Sequence, residues 1–470
     1  MKALIIAAGD GTRMQPVTRG RHKSLMSLLG LRILERVILA SKEAGIDEFV
    51  IVIGYKGKDL KSTIGNGEDY GVSIEYVENE NWERANGLSV LKAKGYFNEN
   101  FVLLMSDHVF DSKTLIRIQR LKLKNNECVL AVDRKLDSVF DVDDTTKVMI
   151  KKGKILSIGK NLEEYNGYDT GMFICSPYIF KVLGKTTGVG KNSLTNGMSV
   201  LVKEERLRTF DIKSRFWADC DTYADIKFAE KKLLASLTKS EDGIVSKKFN
   251  RKLSAMVTKF LVRTPITPNM VSFAILPLAI LCFFLLAKGV YPWIFVGGLL
   301  IQIMSVIDGC DGEIARLKFM QSKWGKWLDP ILDRYVDTAV IAGMAYGYWN
   351  VTGSKFILPI ATFTVLADIL QDYMSAKFFL VTRAKLQLRD IAFKRDVRLL
   401  ILALGAMVNQ ILPAFLLFIA FSQYKVIGRL ISGKKICEEN MGKNFSKQQA
   451  SISLIQSKTI VNPKSDIPSV

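Results

Sequence analysis

Four aspartates, Asp308, Asp311, Asp329 and Asp333, sit in the pattern D-x2-D-G-x2-A-R-x8-G-x3-D-x3-D. The first two are three residues apart and the last two four apart, so each pair shares a face where its segment is helical. The flanking segments are long and apolar. Carboxylates beside lipid repel one another and resist desolvation unless something compensates. A divalent cation is the natural compensation, and oxygen donors suit Mg²⁺, Mn²⁺ or Ca²⁺. Gly312 and Gly325 leave room for a ligand against the helix backbone, and Arg316 can pair with a diphosphate. The bland alternative is a solvated charged loop; helical spacing and the count of four aspartates argue against it.

A second constellation lies at the start of the chain. Residues 3–13, ALIIAAGDGTR, put Ala8, Gly9, Gly11 and Thr12 directly after a short apolar run. Glycines let backbone N–H groups approach phosphate oxygens. Arg13 and Lys23 supply cations to neutralise phosphate charge. A Gly-rich turn alone is common between strand and helix; the strand context and the two cations favour phosphate binding. This chemistry needs positioning and charge neutralisation more than a covalent nucleophile.

The elements that position these residues differ between the two halves. Residues 1–235 alternate short apolar strands (Ala3–Ala8, Glu48–Ile53, Ser73–Tyr76, Phe101–Met105, Glu127–Val132) with amphipathic stretches such as Ile33–Ala44. That alternation predicts a mostly parallel, Rossmann-like α/β sheet with helices on both faces. Residues 236–268 are charged and then basic and amphipathic, which suits a linker and a helix on an anionic membrane surface. Six apolar spans follow within 269–430, at roughly 270–288, 291–307, 334–350, 356–376, 397–411 and 412–424, near the ~20 residues a bilayer requires. Residues 431–470 are polar and read as a mobile cytoplasmic tail.

The net charge is +20. Its distribution explains it: Arg316, Lys318, Lys323 and Lys326, then the stretch from Lys377 to Arg398, fall in alternate connections, while the others are nearly free of Lys and Arg. This is the positive-inside pattern and predicts both chain ends and both sites on the cytoplasmic side. No basic stripe interleaved with aromatics marks the soluble part, so nucleic acid is not an expected partner. Six scattered cysteines without a CxxC pair indicate reduced thiols. His22 and His108 are the only histidines, too few for a His triad or a multi-His metal centre.

The segment AAGDGTRMQPVT…KSLMSLLG resembles the signature of the sugar-nucleotidyltransferase family, which includes cytidylyltransferases; His22 stands where that family usually has proline. The resemblance implies that Glu80, Asn86, Gly87 and Ser89 read the base, and that Asp107 binds metal. It implies a second metal carboxylate, Asp219 or Asp221, between which the sequence does not choose. Lys160 and Asp169-Thr170-Gly171 lie where the family often binds the acceptor.

The four-aspartate segment is similar to the CDP-alcohol phosphotransferases, matching every defined position of their signature. That resemblance implies an all-α six-transmembrane-helix domain, metal held by the four aspartates, and Asp333 as general base. It also implies a homodimer through the membrane domain. The basic residues Arg383, Lys385, Lys394, Arg395 and Arg398 are candidates for the acceptor phosphate, although positive-inside charge explains them equally well. One half would make a CDP-alcohol that the other consumes, and their fusion favours CTP as the nucleotide. The combination resembles the bifunctional enzymes of archaea and thermophiles that make CDP-inositol from CTP and inositol-1-phosphate and condense it with a second inositol-1-phosphate. Phospholipid synthesis with a lipid alcohol is the alternative; a nucleotide-sensing scaffold with a dead site is disfavoured by the intact aspartates.

Overall fold

A computed structural model describes residues 1–14, 18, 20–136, 142–238, 249–382 and 394–460, with backbone alone from 439 onward. The chain divides into two compact units. The first comprises Met1–Thr238, Thr258–Ile266 and Glu313–Met320; the second comprises Lys239–Val257, Thr267–Gly312 and Gln321–Val470.

The first unit contains strands β1 (Ala3–Ala7), β2 (Ser27–Leu28), β3 (Leu31–Arg32), β4 (Glu48–Ile53), β5 (Ser73–Glu78), β6 (Phe101–Met105), β7 (His108–Phe110), β8 (Cys128–Asp133), β9 (Lys147–Lys151), β10 (Lys154–Gly159), β11 (Gly167–Cys175), β12 (Leu207–Asp211) and β13 (Trp217–Asp219). Its helices are α1 (Ile33–Glu43), α2 (Gly57–Ile64), α3 (Gly87–Lys92), α4 (Ser112–Ile118), α5 (Tyr178–Gly188), α6 (Leu194–Lys203) and α7 (Tyr223–Ser236). Nine strands form one sheet in the order β5-β4-β1-β6-β11-β8-β12-β10-β9.

The half from β5 to β6 is parallel, as its apolar runs predict. Beyond β6 the sheet becomes mixed, because β11 runs antiparallel to both β6 and β8. The β9–β10 hairpin turns at Lys152 and Gly153, both at positive φ (48° and 78°), which matches the right-handed twist of paired strands.

Alternate side chains of β1 enter opposite cores. Ala3, Ile5 and Ala7 pack with Leu34, Val37 and Ile38 of α1, whereas Leu4 and Ile6 pack with Val90 of α3 and Ile179 and Leu183 of α5. Both faces of the strand are therefore covered, and its sequence reads as an unbroken apolar run. A separate antiparallel ribbon, β7–β13, sets His108 opposite Asp219.

The first unit also draws on residues beyond the stretch read as its own in the sequence. Arg36 is 2% exposed and donates to the carbonyls of Leu28, Leu29 and Leu317 at 2.8, 2.8 and 3.0 Å. Val262 and Leu317 share a buried cluster with Met14, Leu28 and Leu29.

Helix α8 (Arg251–Leu261) precedes six helices: α9 (Pro268–Ala287), α10 (Tyr291–Leu317), α11 (Lys323–Thr352), α12 (Ile357–Thr382), α13 (Arg395–Met407) and α14 (Ile411–Ile460). Among the described residues, four segments are long and apolar enough to cross a membrane: Pro268–Ala287, Tyr291–Leu317, Ile357–Thr382 and Ile411–Glu438. Two of the six expected spans fall short. α11 carries Asp329, Asp333, Arg334 and Asp337, and α13 has only 13 residues. Gly343 and Gly347 let α11 approach α9: an added Cβ would lie 2.8 Å from the Phe283 carbonyl oxygen and 2.1 Å from that of Leu286. Residues 431–460, which composition suggests as an irregular tail, continue α14; the stretch contains no proline to stop it.

Candidate active sites

The first site forms beyond the carboxyl end of β1, where ligands of parallel sheets bind. Ala8 is buried and Gly9 has open space around its Cα. Gly11 adopts φ +57°, and a Cβ there would meet the Lys23 side chain at 2.8 Å. Thr12, Arg13 and Met14 form a short helical turn. Lys23 opens another turn, capped by His22, whose Nδ1 accepts from the Ser24 N–H at 3.2 Å. His22 has φ −65°, a value proline also holds, so the imidazole fits this backbone and adds a cap that proline lacks.

Both expected phosphate cations are held by carboxylates. Lys23 Nζ contacts Asp107 and lies 2.6 Å from Asp221. Arg13 lies 2.5 Å from Asp221 and 2.5 Å from Asp144. Burial opposes charge on Lys23, but Asp107 and Asp221 raise its pKa above the ordinary value. Burial would likewise raise Asp107, yet Lys23 brings it down to about 2.

Asp219 lies on the other side of the same site. One donor atom each from Asp107, His108 and Asp219 fall within 4.8 Å of one another. Burial pushes the Asp219 carboxyl upward, and its Oδ1 is buried with no hydrogen-bond partner among the described residues. Burial opposes the proton on His108, but Asp219 and then Asp107 push its pKa up to about 10. An orphaned carboxylate oxygen beside a second carboxylate fits a divalent cation, which Asp107 and Asp219 would hold. Asp221 lies outside that group of three and pairs with Arg13 and Lys23.

A cleft of about 230 Å³ opens here, lined by Lys23, Asn86, Asp107, His108, Lys160 and Asp219 among others. Lys160 pairs with Asp144 at 2.7 Å. Asn86 accepts from the Leu194 N–H at 2.9 Å, and Gly87 admits the Asn192 carbonyl, which a Cβ would meet at 2.4 Å. Ser89 is buried and accepts from Asn79 at 3.0 Å, while Glu80 is exposed and does not line the cleft. Sequence reasoning missed His108 and Asp144. His108 had a local signal, its position directly after Asp107; Asp144 had none.

The second site is built by α10, α11 and α13. Donor atoms of Asp308, Asp329 and Asp333 lie within 4.8 Å of one another. Asp311 is turned toward α9, where it accepts from the Ser272 hydroxyl at 2.7 Å, and it also accepts from the Gly312 N–H. Arg395 spans the group: Nη1 lies 2.9 Å from Asp308 and 2.7 Å from Asp333, and Nη2 lies 3.0 Å from Asp337. Asp337 escaped sequence reasoning although Asp329, Asp333 and Asp337 repeat at i, i+4. Three converging carboxylates fit a hard divalent cation.

The remaining candidates scatter. Arg398 pairs with Asp368 at 2.5 Å and lies over the Phe418 ring. Lys394 stands at the N-cap position of α13 without a side-chain cap. Gly325 donates to the Ser322 hydroxyl at 2.9 Å in the first turn of α11, where a Cβ would lie 3.2 Å from that hydroxyl and 3.4 Å from Asn269 Oδ1. Arg316 belongs to the first unit, where it donates to the Leu237 carbonyl at 3.3 Å. Arg383 and Lys385 lie outside the described residues.

Comparison with known proteins agrees with this division. The nucleotidyl transferase family model matches residues 2–158, and the CDP-alcohol phosphatidyltransferase model matches residues 265–426. The "Bifunctional IPC transferase and DIPP synthase" of Aquifex aeolicus is 31% identical over 90% of this chain and 96% of its own. Its counterpart from Rubrobacter xylanophilus is 32% identical over 92% and 96%. That of Thermococcus kodakarensis is 34% identical over 80% and 82%. With both halves matched in one alignment, the chain belongs to the family of bifunctional IPC transferases and DIPP synthases.

Proposed function

We propose that the chain catalyses two consecutive reactions. In the first, the phosphate of inositol-1-phosphate attacks the α-phosphorus of CTP, giving CDP-inositol and pyrophosphate. In the second, a hydroxyl of another inositol-1-phosphate attacks the phosphorus bearing inositol; CMP leaves and di-myo-inositol phosphate phosphate forms. One observation carries this reading: the same chain holds a nucleotide cleft with Asp107 and Asp219 and a separate helical cluster of Asp308, Asp329 and Asp333. The names of the relatives pair the same two activities.

In the first site, Gly9, Gly11 and Thr12 offer backbone N–H groups to the triphosphate, and Arg13 and Lys23 exchange their carboxylate partners for phosphate oxygens. Asp107 and Asp219 would hold Mg²⁺, which would neutralise charge on the reacting phosphate. Asn86 meets the base from the cleft, and Lys160 meets the acceptor phosphate. In the second site Asp308, Asp329 and Asp333 would hold the cation, with Asp311 tied to Ser272 next to them, and Asp333 takes the proton of the attacking hydroxyl. Gly312 and Gly325 leave room for the nucleotide. Arg395, held by Asp308, Asp333 and Asp337, serves the carboxylates rather than the acceptor phosphate.

Six spans, one within each helix from α9 to α14, cross the bilayer, with both sites and the chain from residue 431 on its cytoplasmic side, and two copies associate through this unit. The alternation of basic connections supports the orientation. Exposed Leu253, Met256, Val257 and Phe260 recur at helical spacing along α8 and support a helix resting on the membrane surface.

The test is direct. Purified full-length protein with CTP, Mg²⁺ and inositol-1-phosphate is followed by phosphorus NMR. A water-soluble phosphodiester with CMP supports the reading. Product only after a lipid alcohol is added overturns the inositol acceptor in favour of phospholipid synthesis.

A further inference from the structure

We propose that His108 is a direct ligand, through Nε2, of the divalent cation held by Asp107 and Asp219, so that the two metal sites of this chain have different donor chemistry: oxygen and nitrogen in the cleft, oxygen alone among the helices. This rests on the cation binding at Asp107 and Asp219 proposed above.

The ring is held in the orientation a ligand needs. His108 and Asp219 are paired across the β7–β13 ribbon, and Nε2 lies 3.5 Å from Asp219 and 3.8 Å from Asp107. Those separations leave space for one ion among the three groups, whose donor atoms all lie within 4.8 Å. On the far side of the ring, Nδ1 lies 2.7 Å from the Thr170 carbonyl oxygen. A carbonyl only accepts, so Nδ1 carries a proton. The Trp217 Nε1–H, 3.3 Å from the same nitrogen, therefore packs against it without donating to it. A proton fixed on Nδ1 leaves Nε2 as the lone pair of the neutral ring, facing the carboxylates. Metal-bound imidazoles are oriented in this way, by an N–H to a backbone carbonyl behind them.

The fold makes room for that contact. The register of β11 against β8 shifts between Asp169 and Phe173. Within this bulge Gly171 takes φ +68°, and a Cβ there would fall 2.2 Å from His108 Nδ1. Asp169 accepts from the Gly171 N–H at 2.7 Å and fixes the bend. Glycine at 171 thus lets the backbone that carries the Thr170 carbonyl lie against the ring. The cation would be bound by the Nε2 lone pair, so any proton there would be released to solvent as the ion enters.

Nitrogen donation favours Mn²⁺ and Co²⁺ over Mg²⁺ more than carboxylates do. It also has a signature distinct from activity. The sequence contains only His22 and His108, so an imidazole nitrogen on a bound ion has two possible sources. The experiment is electron spin-echo envelope modulation on Mn²⁺ bound to the full-length His22→Pro protein without nucleotide, with bound Mn²⁺ counted by titration in the same sample. The expected result is imidazole ¹⁴N modulation in this single-histidine protein. His108→Asn should lose it, and Mn²⁺ affinity at the cleft should fall roughly tenfold or more. If Asp107→Ala removes one bound Mn²⁺ while the single-histidine protein shows no ¹⁴N coupling, His108 is not a ligand and the aspartate site stands. If Asp107→Ala removes no Mn²⁺, the cation site at Asp107 and Asp219 falls as well, and with it this inference.

Discussion

Arg395 on α13 lies 2.7 Å from Asp333 on α11. The same guanidinium reaches Asp308 and Asp337, so one cation offsets three carboxylates that would otherwise repel one another. The side chain holds the cluster in shape by its planar fork, a geometry that an ammonium does not reproduce.

Arg395→Lys should therefore keep the charge and lose the geometry. We expect CMP release from supplied CDP-inositol to fall about 100-fold, the scale seen when a partner of metal ligands is lost. CDP-inositol synthesis by the same protein should be unchanged. Equal loss of both steps in a folded protein would argue against this placement of Arg395.

Asp219 and Asp221 are expected to behave differently. Asp219→Asn removes a carboxylate proposed to hold the cation and should lower kcat of the first step about 10³-fold, equivalent to the several kcal/mol a cation supplies. Asp221→Asn frees Lys23 and Arg13 from their shared partner and should act mainly on KM for CTP. Steady-state kinetics on both variants decide it; matching losses in kcat would remove the distinction.

The two sites should fail independently. Asp107→Ala should abolish CDP-alcohol formation and leave transfer from supplied CDP-alcohol intact; Asp311→Ala should do the reverse. Asp311 reaches Ser272 on α9, and its loss also unpairs that hydroxyl. A single variant that stops both steps while its circular dichroism and gel-filtration profile stay native would contradict the two-site reading.

His22 predicts an acid limb in stability. Burial first, and then Lys23, lower its pKa from 6.5 to about 4. Between those values the unfolded chain takes up a proton that the folded chain refuses. The contribution is thus complete above pH 6.5, is lost as pH falls toward 4, and amounts to about 3 kcal/mol at most. His22→Pro suits the local backbone and removes the group. Its thermal midpoint should fall less than that of the unchanged protein between pH 7.5 and pH 5; parallel curves would refute the assignment.

Several features were legible in the sequence because they depend on local spacing. The run Ala3–Ala7 announces a strand covered on both faces, and Gly9 to Arg13 a loop that can approach phosphate. The spacings of Asp308 with Asp311 and of Asp329 with Asp333 announce a shared helix face for each pair, but that Asp308 meets Asp329 and Asp333 while Asp311 accepts from Ser272 follows only from packing. The mixed half of the sheet was less readable, since strand direction follows from packing rather than from composition. The expectation of six spans was not matched by hydropathy along α11, which carries Asp329, Asp333, Arg334 and Asp337.

Sequence by itself determined the residue types, their spacing within each segment, and hence the two kinds of chemistry. Tertiary structure alone decided which distant groups meet. Lys23 and Asp221 are 198 residues apart, and Arg395 and Asp308 are 87 apart. No local pattern encodes such pairs, because a fixed repeat along one element reaches only a few residues before the chain turns. The ribbon that sets His108 against Asp219 exists only once β7 and β13 pair.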